Sequence, residues 1–240
     1  MQTLIFENSA RLADAVSDEI VGLLKKKPGA LICMASGHSP KMTCEFFTDK
    51  IKRGEADGSQ FNFIGLDEWV GIPPATSGSC HNDFKERLFE PLSIAPSRYH
   101  LFDGMSADLN AECSKMDQYI KTKGGIDLMI VGIGMNGHIG FNEPGCDFHA
   151  ASHVATLEES TSTVGQKYFQ SPTKLDKGIT IGFAHLRTTK KVILIASGVA
   201  KAPIVFKALK GSVDSSVPAS IMQELPNGLV MLDAEAAAQL

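Results

Sequence analysis

The sequence predicts an α/β protein built on an open, mostly parallel sheet with helices on both faces. Short apolar runs recur along the chain: Leu4-Ile5-Phe6, Ala30 to Ala35, Phe61 to Leu66, Ile126 to Val131, Gly178 to Phe183, Val192 to Ala196 and Leu229 to Leu232. They are near-continuous rather than alternating, the pattern of strands covered on both faces. Helix-period stretches separate them, which is the βαβ rhythm of a Rossmann-like sheet. No internal repeat, low-complexity tract or linker interrupts the 240 residues, so 1–240 reads as a single domain.

Taken in order, Leu4 to Phe6 form a first short strand, and Ser9 offers an N-cap. Leu12, Val16, Ile20 and Leu23/Leu24 then repeat at helical spacing until Lys25 to Lys27 and Pro28-Gly29 stop the helix. The second strand, Ala30 to Ala35, runs into Ser36-Gly37 and a helix carrying Phe46, Phe47 and Ile51. Phe61 to Leu66 is the third strand, and Leu66 to Val70 reads as the loop at its end. Ile126 to Val131 is the fourth and feeds a glycine-rich loop. Gly178 to Phe183, Val192 to Ala196 and Leu229 to Leu232 complete the sheet.

Composition excludes several function classes. Hydrophobic content of 43% with a net charge of −4 is that of a folded chain, not a disordered one. With 23 basic against 27 acidic side chains, and Lys25 to Lys27 as the longest basic run, nucleic acid is not an expected partner. No apolar run approaches the ~20 residues of a membrane span, and Met1 to Asn8 lack the basic and apolar regions of a secretory leader. The five cysteines are scattered and form no Cys-x-x-Cys pair, so free thiols in a reducing cytoplasm are expected.

In such sheets ligands collect at the carboxyl ends of the strands. Ser36-Gly37-His38-Ser39-Pro40 follows the second strand and suits either a phosphate cradle, through backbone N–H groups and hydroxyls at a helix N-terminus, or an ordinary capped turn. Asp67-Glu68 follows the third. Two adjacent acids there are costly unless solvated, paired, used in chemistry or spent on capping a loop. Gly132-Ile133-Gly134-Met135-Asn136-Gly137 matches a dinucleotide fingerprint, but that fingerprint opens a helix, and Gly140 and Pro144-Gly145 oppose one. More informative is His138 five residues before Glu143, where a carboxylate can orient an imidazole and support its charged form. Lys167 and Lys201 are each either solvated charges or phosphate ligands, with Lys201, after a strand-end glycine, the better placed. His149 and His153 sit four apart without a third metal ligand, and P-loop, nucleophile-elbow and His-Glu-x-x-His motifs are absent.

Together, Ala35 to Pro40, Asp67-Glu68-Trp69-Val70-Gly71, Asn136-Gly137-His138-Ile139-Gly140-Phe141-Asn142-Glu143-Pro144-Gly145 and Ser197-Gly198-Val199-Ala200-Lys201 resemble the glucosamine-6-phosphate deaminase/isomerase family over essentially the whole chain. The Asp-Glu-Trp-Val and Asn-Gly-His strings look closer to its galactosamine-6-phosphate isomerase/deaminase branch. The resemblance implies a cofactor-free, metal-free reaction in which galactosamine 6-phosphate or glucosamine 6-phosphate becomes tagatose or fructose 6-phosphate plus ammonia. Under it, Asp67 matches the base that moves the C2 proton to C1, His138 the group that opens the pyranose ring, and Glu143 its carboxylate partner. Ser36, Gly37, His38, Ser39, Lys167 and Lys201 match the phosphate site, with Lys167 where an arginine is usual. The expected partner is a small-molecule sugar phosphate, neither nucleic acid nor membrane, with homo-oligomerisation left open.

Two departures stand out. Asn136 replaces the family's usual aspartate, removing a negative charge beside His138, which predicts an altered pH dependence of ring opening. The stretch 146–155 carries no Lys or Arg, where allosteric members place basic residues for a second sugar phosphate, which predicts simple saturation. The rival enzyme class is a 6-phosphogluconolactonase-type hydrolase. Trp69, where lactonases carry arginine, and Phe141-Asn142-Glu143-Pro144 both oppose it. A non-catalytic sugar-phosphate sensor would keep the phosphate loop and lysines but have no use for Asp67, His138 and Glu143 together.

Overall fold

The computed structural model describes residues 2–240; within helix α2 (His38–Lys52) the side chains of His38 and Ser39 lie outside the described residues. Among these residues, seven strands form one sheet in the order β1 (Gln2–Phe6), β10 (Gly228–Asp233), β9 (Val192–Ala196), β6 (Leu128–Gly132), β2 (Leu31–Met34), β3 (Asn62–Gly65) and β5 (Tyr99–His100). All neighbouring pairs are parallel.

The near-continuous apolar runs follow from this burial. Alternate residues of each strand serve opposite faces. Ile32, Met34, Phe63, Leu128, Ile130, Ile193 and Ile195 pack with α1 (Ser9–Lys26) and α2 (His38–Lys52). Leu31, Cys33, Ile64, Met129, Val131, Val192 and Leu194 pack on the other face with α4 (Leu109–Thr122), α6 (Phe183–Thr188) and α7 (Ala202–Lys210). In α1 the residues Leu12, Val16, Ile20 and Leu24 are all buried, and Lys25 and Lys26 in the last turn complement the helix dipole. The cap of α1 corrects the expectation for Ser9: Asn8 Oδ1 accepts from the Arg11 N–H at 3.0 Å, and Ser9 is already helical. Both types can cap, and the Asn8 backbone, extended at φ −156°, takes the role.

Three further strands depart from expectation. β4 (Asp67–Trp69), β8 (Lys177–Thr180) and β7 (His153–Thr156) form a separate antiparallel sheet, so Asp67 to Trp69 is strand where a loop was expected. The expected strand at Gly178 to Phe183 belongs to this side sheet, ends at Thr180, and leaves Phe183 to open α6. No helix of the described residues is long and apolar enough to cross a membrane.

The strand order places a switch point between β2 and β6. From β2 the chain winds outward through β3 to β5; from β6 it winds the other way through β9 to β10. A crevice forms where windings diverge, and β2, β3 and β6 end nearly in line, with Met34 opposite both Gly65 and Ile130.

Candidate active site

At that crevice the chain encloses a cavity of about 670 Å³. Its first wall is the turn from β2 into α2, where Gly37 adopts φ +95° and the Tyr168 hydroxyl lies 3.0 Å from where a Cβ would stand. A side chain would be strained there on both counts. Ser36 and Gly37 line the cavity. The side chains of His38 and Ser39, expected beside them, lie outside the described residues.

Lys201 enters from the end of β9. Asp233, closing β10, accepts the Gly198 N–H through both carboxylate oxygens at 3.0 and 3.1 Å and so fixes the turn that leads to Lys201. The Lys201 ammonium donates to the Ile133 carbonyl at 2.6 Å, which ties this turn to the end of β6. Burial lowers its pKa from the ordinary lysine value. Lys167 also lines the cavity, exposed at its rim on the short turn Gln166–Tyr168 after α5 (Glu159–Gly165).

The acidic pair splits into two roles. Asp67 opens onto the cavity, and its carboxyl is pushed up to about 7, first by burial, then by the neighbouring Glu68 charge, against a small opposing effect of the Cys80 thiol. That thiol lies 3.9 Å from Asp67 Oδ1. Glu68 points the other way, as alternate residues of a strand must. It accepts from the Trp69 and Cys80 N–H groups at 2.9 and 3.0 Å through Oε1, and from the His81 N–H at 2.8 Å through Oε2. Glu68 therefore takes the first two N–H groups of α3 (Cys80–Phe84), beside the Ser79 N-cap, and holds the helix against β4. Its own carboxyl is raised by burial, which those three N–H donors only partly offset.

The glycine-rich loop after β6 is a chain of turns, not a helix, among the described residues. Gly134 is required by close approach: a Cβ there would stand 2.3 Å from the His138 ring. Buried Asn142 donates to the Ile139 and Ile181 carbonyls at 2.8 and 2.9 Å and locks the loop to the end of β8. His138 lines the cavity, and Glu143 is buried away from it, with its Oε1 3.4 Å from His138 Nδ1. The Thr161 hydroxyl lies 3.2 Å from the same nitrogen. Burial works to raise the Glu143 carboxyl, but contacts with His138, Thr161 and Asn136 outweigh it and hold the pKa below the ordinary value.

The fold thus gathers Ser36, Gly37, Asp67, Asn136, His138, Lys167 and Lys201 onto one cavity, with Glu143 behind His138. Sequence reading missed Thr161, Cys80 and Val164, and it singled out Trp69 and Phe141 without placing them in the cavity wall, where their rings meet at 4.6 Å. No local pattern marks Thr161 or Cys80, since their neighbours here come from distant parts of the chain. An ionisable base, a carboxylate-backed imidazole and two cations around one cavity can open a ring, move a proton between adjacent carbons and hold an anion.

Comparison with known proteins gives this arrangement a lineage. Residues 7–230 match the family model described as glucosamine-6-phosphate isomerases/6-phosphogluconolactonase. The glucosamine-6-phosphate deaminase of Halothermothrix orenii is 36% identical over 241 residues, covering 100% of both chains. That of Lachnoclostridium phytofermentans is 37% identical over 220 residues, covering 91% of this chain and 92% of its own. A monomeric glucosamine-6-phosphate deaminase of known structure superposes with a TM-score of 0.96 at 31% identity, over 100% of both chains. A 6-phosphogluconolactonase from Trypanosoma brucei shares the fold at a TM-score of 0.80 and 19% identity, over 100% of this chain and 98% of its own. The chain belongs to the glucosamine-6-phosphate isomerase/6-phosphogluconolactonase family of enzymes.

Proposed function

We propose that this enzyme converts a 2-amino-2-deoxyhexose 6-phosphate into the ketohexose 6-phosphate and ammonia. The observation that carries the reading is the Asp67 carboxyl, raised to about 7 on the wall of the cavity that His138 also lines. A base poised near neutrality suits abstraction of a carbon-bound proton. In this reading His138, backed by Glu143, shuttles a proton between the anomeric hydroxyl and the ring oxygen to open the pyranose. Asp67 then takes the C2 proton and returns it to C1 through an enolamine. The resulting C2 imine is hydrolysed by water to the ketone and ammonia. Lys201 and Lys167, with the Ser36-Gly37 backbone and the His38 and Ser39 positions that open α2, hold the phosphate.

Glucosamine 6-phosphate is the substrate favoured by the names of the relatives. Galactosamine 6-phosphate is the second reading, favoured by the Asp67-Glu68-Trp69-Val70 and Asn136-Gly137-His138 strings. The reading also takes residues 1–240 as one catalytic domain in a reducing cytoplasm, in keeping with five free thiols, four of them buried. The test offers both hexosamine 6-phosphates and 6-phosphogluconolactone to the purified protein and follows ammonia, fructose and tagatose 6-phosphate, and lactone hydrolysis. Ammonia with a ketose phosphate is expected. Lactone hydrolysis alone, or sugar-phosphate binding without turnover, overturns the proposal.

A further inference from the structure

Asn136 is the junction of two carboxylates. Its Nδ2 donates to Glu143 Oε2 at 2.7 Å and to Glu158 Oε2 at 2.8 Å, with Thr161 Oγ1 at 3.4 Å, while its Oδ1 accepts from the His138 N–H at 3.2 Å. These partners fix the orientation of the amide, because a flip would set its oxygen against two carboxylate oxygens and its NH2 against an N–H. Both amide hydrogens have an anionic acceptor. Glu143 lies buried behind His138, whereas Glu158 is exposed at the start of α5, the helix that carries Thr161 and leads to Lys167.

We propose that Asn136 and Glu158 form one positioning unit that clips the His138 loop to the wall bearing Thr161 and Lys167. The proposal rests on the hexosamine 6-phosphate reading and assigns to Glu158 a part in it. Neutrality at position 136 is what admits Glu158. An aspartate there would offer no hydrogen to either carboxylate and would set three anions together, so residues 136 and 158 are electrostatically coupled across 22 positions of sequence.

The test is a cycle of Asn136→Asp, Glu158→Gln and the double variant, read in kcat, KM and their pH profiles. Asn136→Asp should lower kcat/KM about tenfold, in KM as the Lys167 wall loosens and in kcat as His138 loses its setting. Glu158→Gln keeps an oxygen for the Asn136 amide and should cost at most about threefold. The double variant should recover part of that loss, since the glutamine amide can donate to the introduced aspartate while the repulsion of Glu143 remains. Glu158→Ala should resemble Asn136→Asp, with its loss mainly in KM. An Asn136→Asp effect of equal size in both backgrounds overturns the proposal. Melting temperatures across the same cycle separate this outcome from failure of the functional reading. If the parent turns over no hexosamine phosphate, a melting loss in Asn136→Asp relieved by Glu158→Gln still supports the clip, and an unrelieved loss refutes it.

Discussion

Asp67 and Glu143 are two carboxyls of one site whose surroundings drive them in opposite directions. Asp67 sits at the start of β4 beside another acid and a thiol, and no cationic side chain offsets its burial among the described residues; its carboxyl rises to about 7. Glu143 is also buried, yet an imidazole, a hydroxyl and an amide face it, and its carboxyl falls. Burial is common to both, so partners decide the difference. A pair of acids pushed apart in this way marks a division of labour: one group exchanges protons near neutrality, the other stays anionic and supports its neighbour.

The largest expected effect tests the first half of this contrast. Asp67→Asn should lower kcat about 10³-fold while leaving sugar-phosphate binding measurable by calorimetry. In the parent, kcat/KM should rise with pH through a limb near 7 as Asp67 loses its proton. Stability should run the other way. The folded state keeps a proton at Asp67 that the unfolded chain releases near 3.8, so this group's contribution weakens as pH rises from there to about 7 and is fully unfavourable above it. An asparagine side chain carries no such penalty, and the variant should melt above the parent at pH 8, by up to about 4 kcal/mol of stability, with the gain gone by pH 4. Retained turnover would remove Asp67 from the chemistry.

Glu143→Gln tests the second half. It removes the anion opposite His138 but retains an acceptor for Asn136, so kcat should fall about 10- to 100-fold with KM little changed. A change in KM alone would mean that Glu143 supports binding and not the imidazole. Because its folded pKa is depressed, Glu143 stabilises the fold above its ordinary value of 4.5 and loses that contribution as pH falls below it. The parent's acid melting curve should therefore flatten in the glutamine variant below pH 4.5, opposite in pH to the Asp67 effect.

The two lysines divide along the same line of burial. Lys201→Ala should raise KM about 10- to 100-fold, the range for a hydrogen bond to a charged group away from bulk water. Exposed Lys167→Ala should raise it only about fivefold. Inhibition by inorganic phosphate should weaken in the same order. Equal losses would mean that the site closes over Lys167 when substrate binds.

How much of this was legible in the sequence follows from how local each feature is. The runs Ala30 to Ala35, Phe61 to Leu66, Ile126 to Val131, Val192 to Ala196 and Leu229 to Leu232 were readable as strands because burial on both faces writes itself into consecutive residues, and His138 with Glu143 because five residues of loop hold both. The side sheet was not, since Asp67 to Trp69 is a three-residue strand whose pairing with Lys177 to Thr180 depends on the rest of the fold. Gly178 to Phe183 was recognisable as apolar but not as antiparallel. Asp233 beneath Gly198, Thr161 on His138 and Glu158 on Asn136 join residues 22 to 35 positions apart, and nothing in their own neighbourhoods announces the partner. Acid and cation types at strand ends could be found by reading; what sets their protonation could not.

Glu68 offers the smallest perturbation and the sharpest reading of Asp67. Its charge is the second cause, after burial, of the raised Asp67 carboxyl, and it faces away from the cavity onto the N–H groups of Trp69, Cys80 and His81. Glu68→Gln deletes that charge, and the glutamine oxygen can keep two of the three N–H contacts while its NH2 opposes the third. The rate at high pH, where Asp67 is ionised in either protein, should change by less than about threefold, since only the α3 cap is loosened. The rising limb of kcat/KM should move to lower pH, because Asp67 ionises more readily once the neighbouring anion is gone. An unmoved limb would leave burial alone as the origin of the Asp67 shift. A limb moved to higher pH would assign it to some other group, for removing a negative neighbour cannot hold a carboxyl in its protonated form.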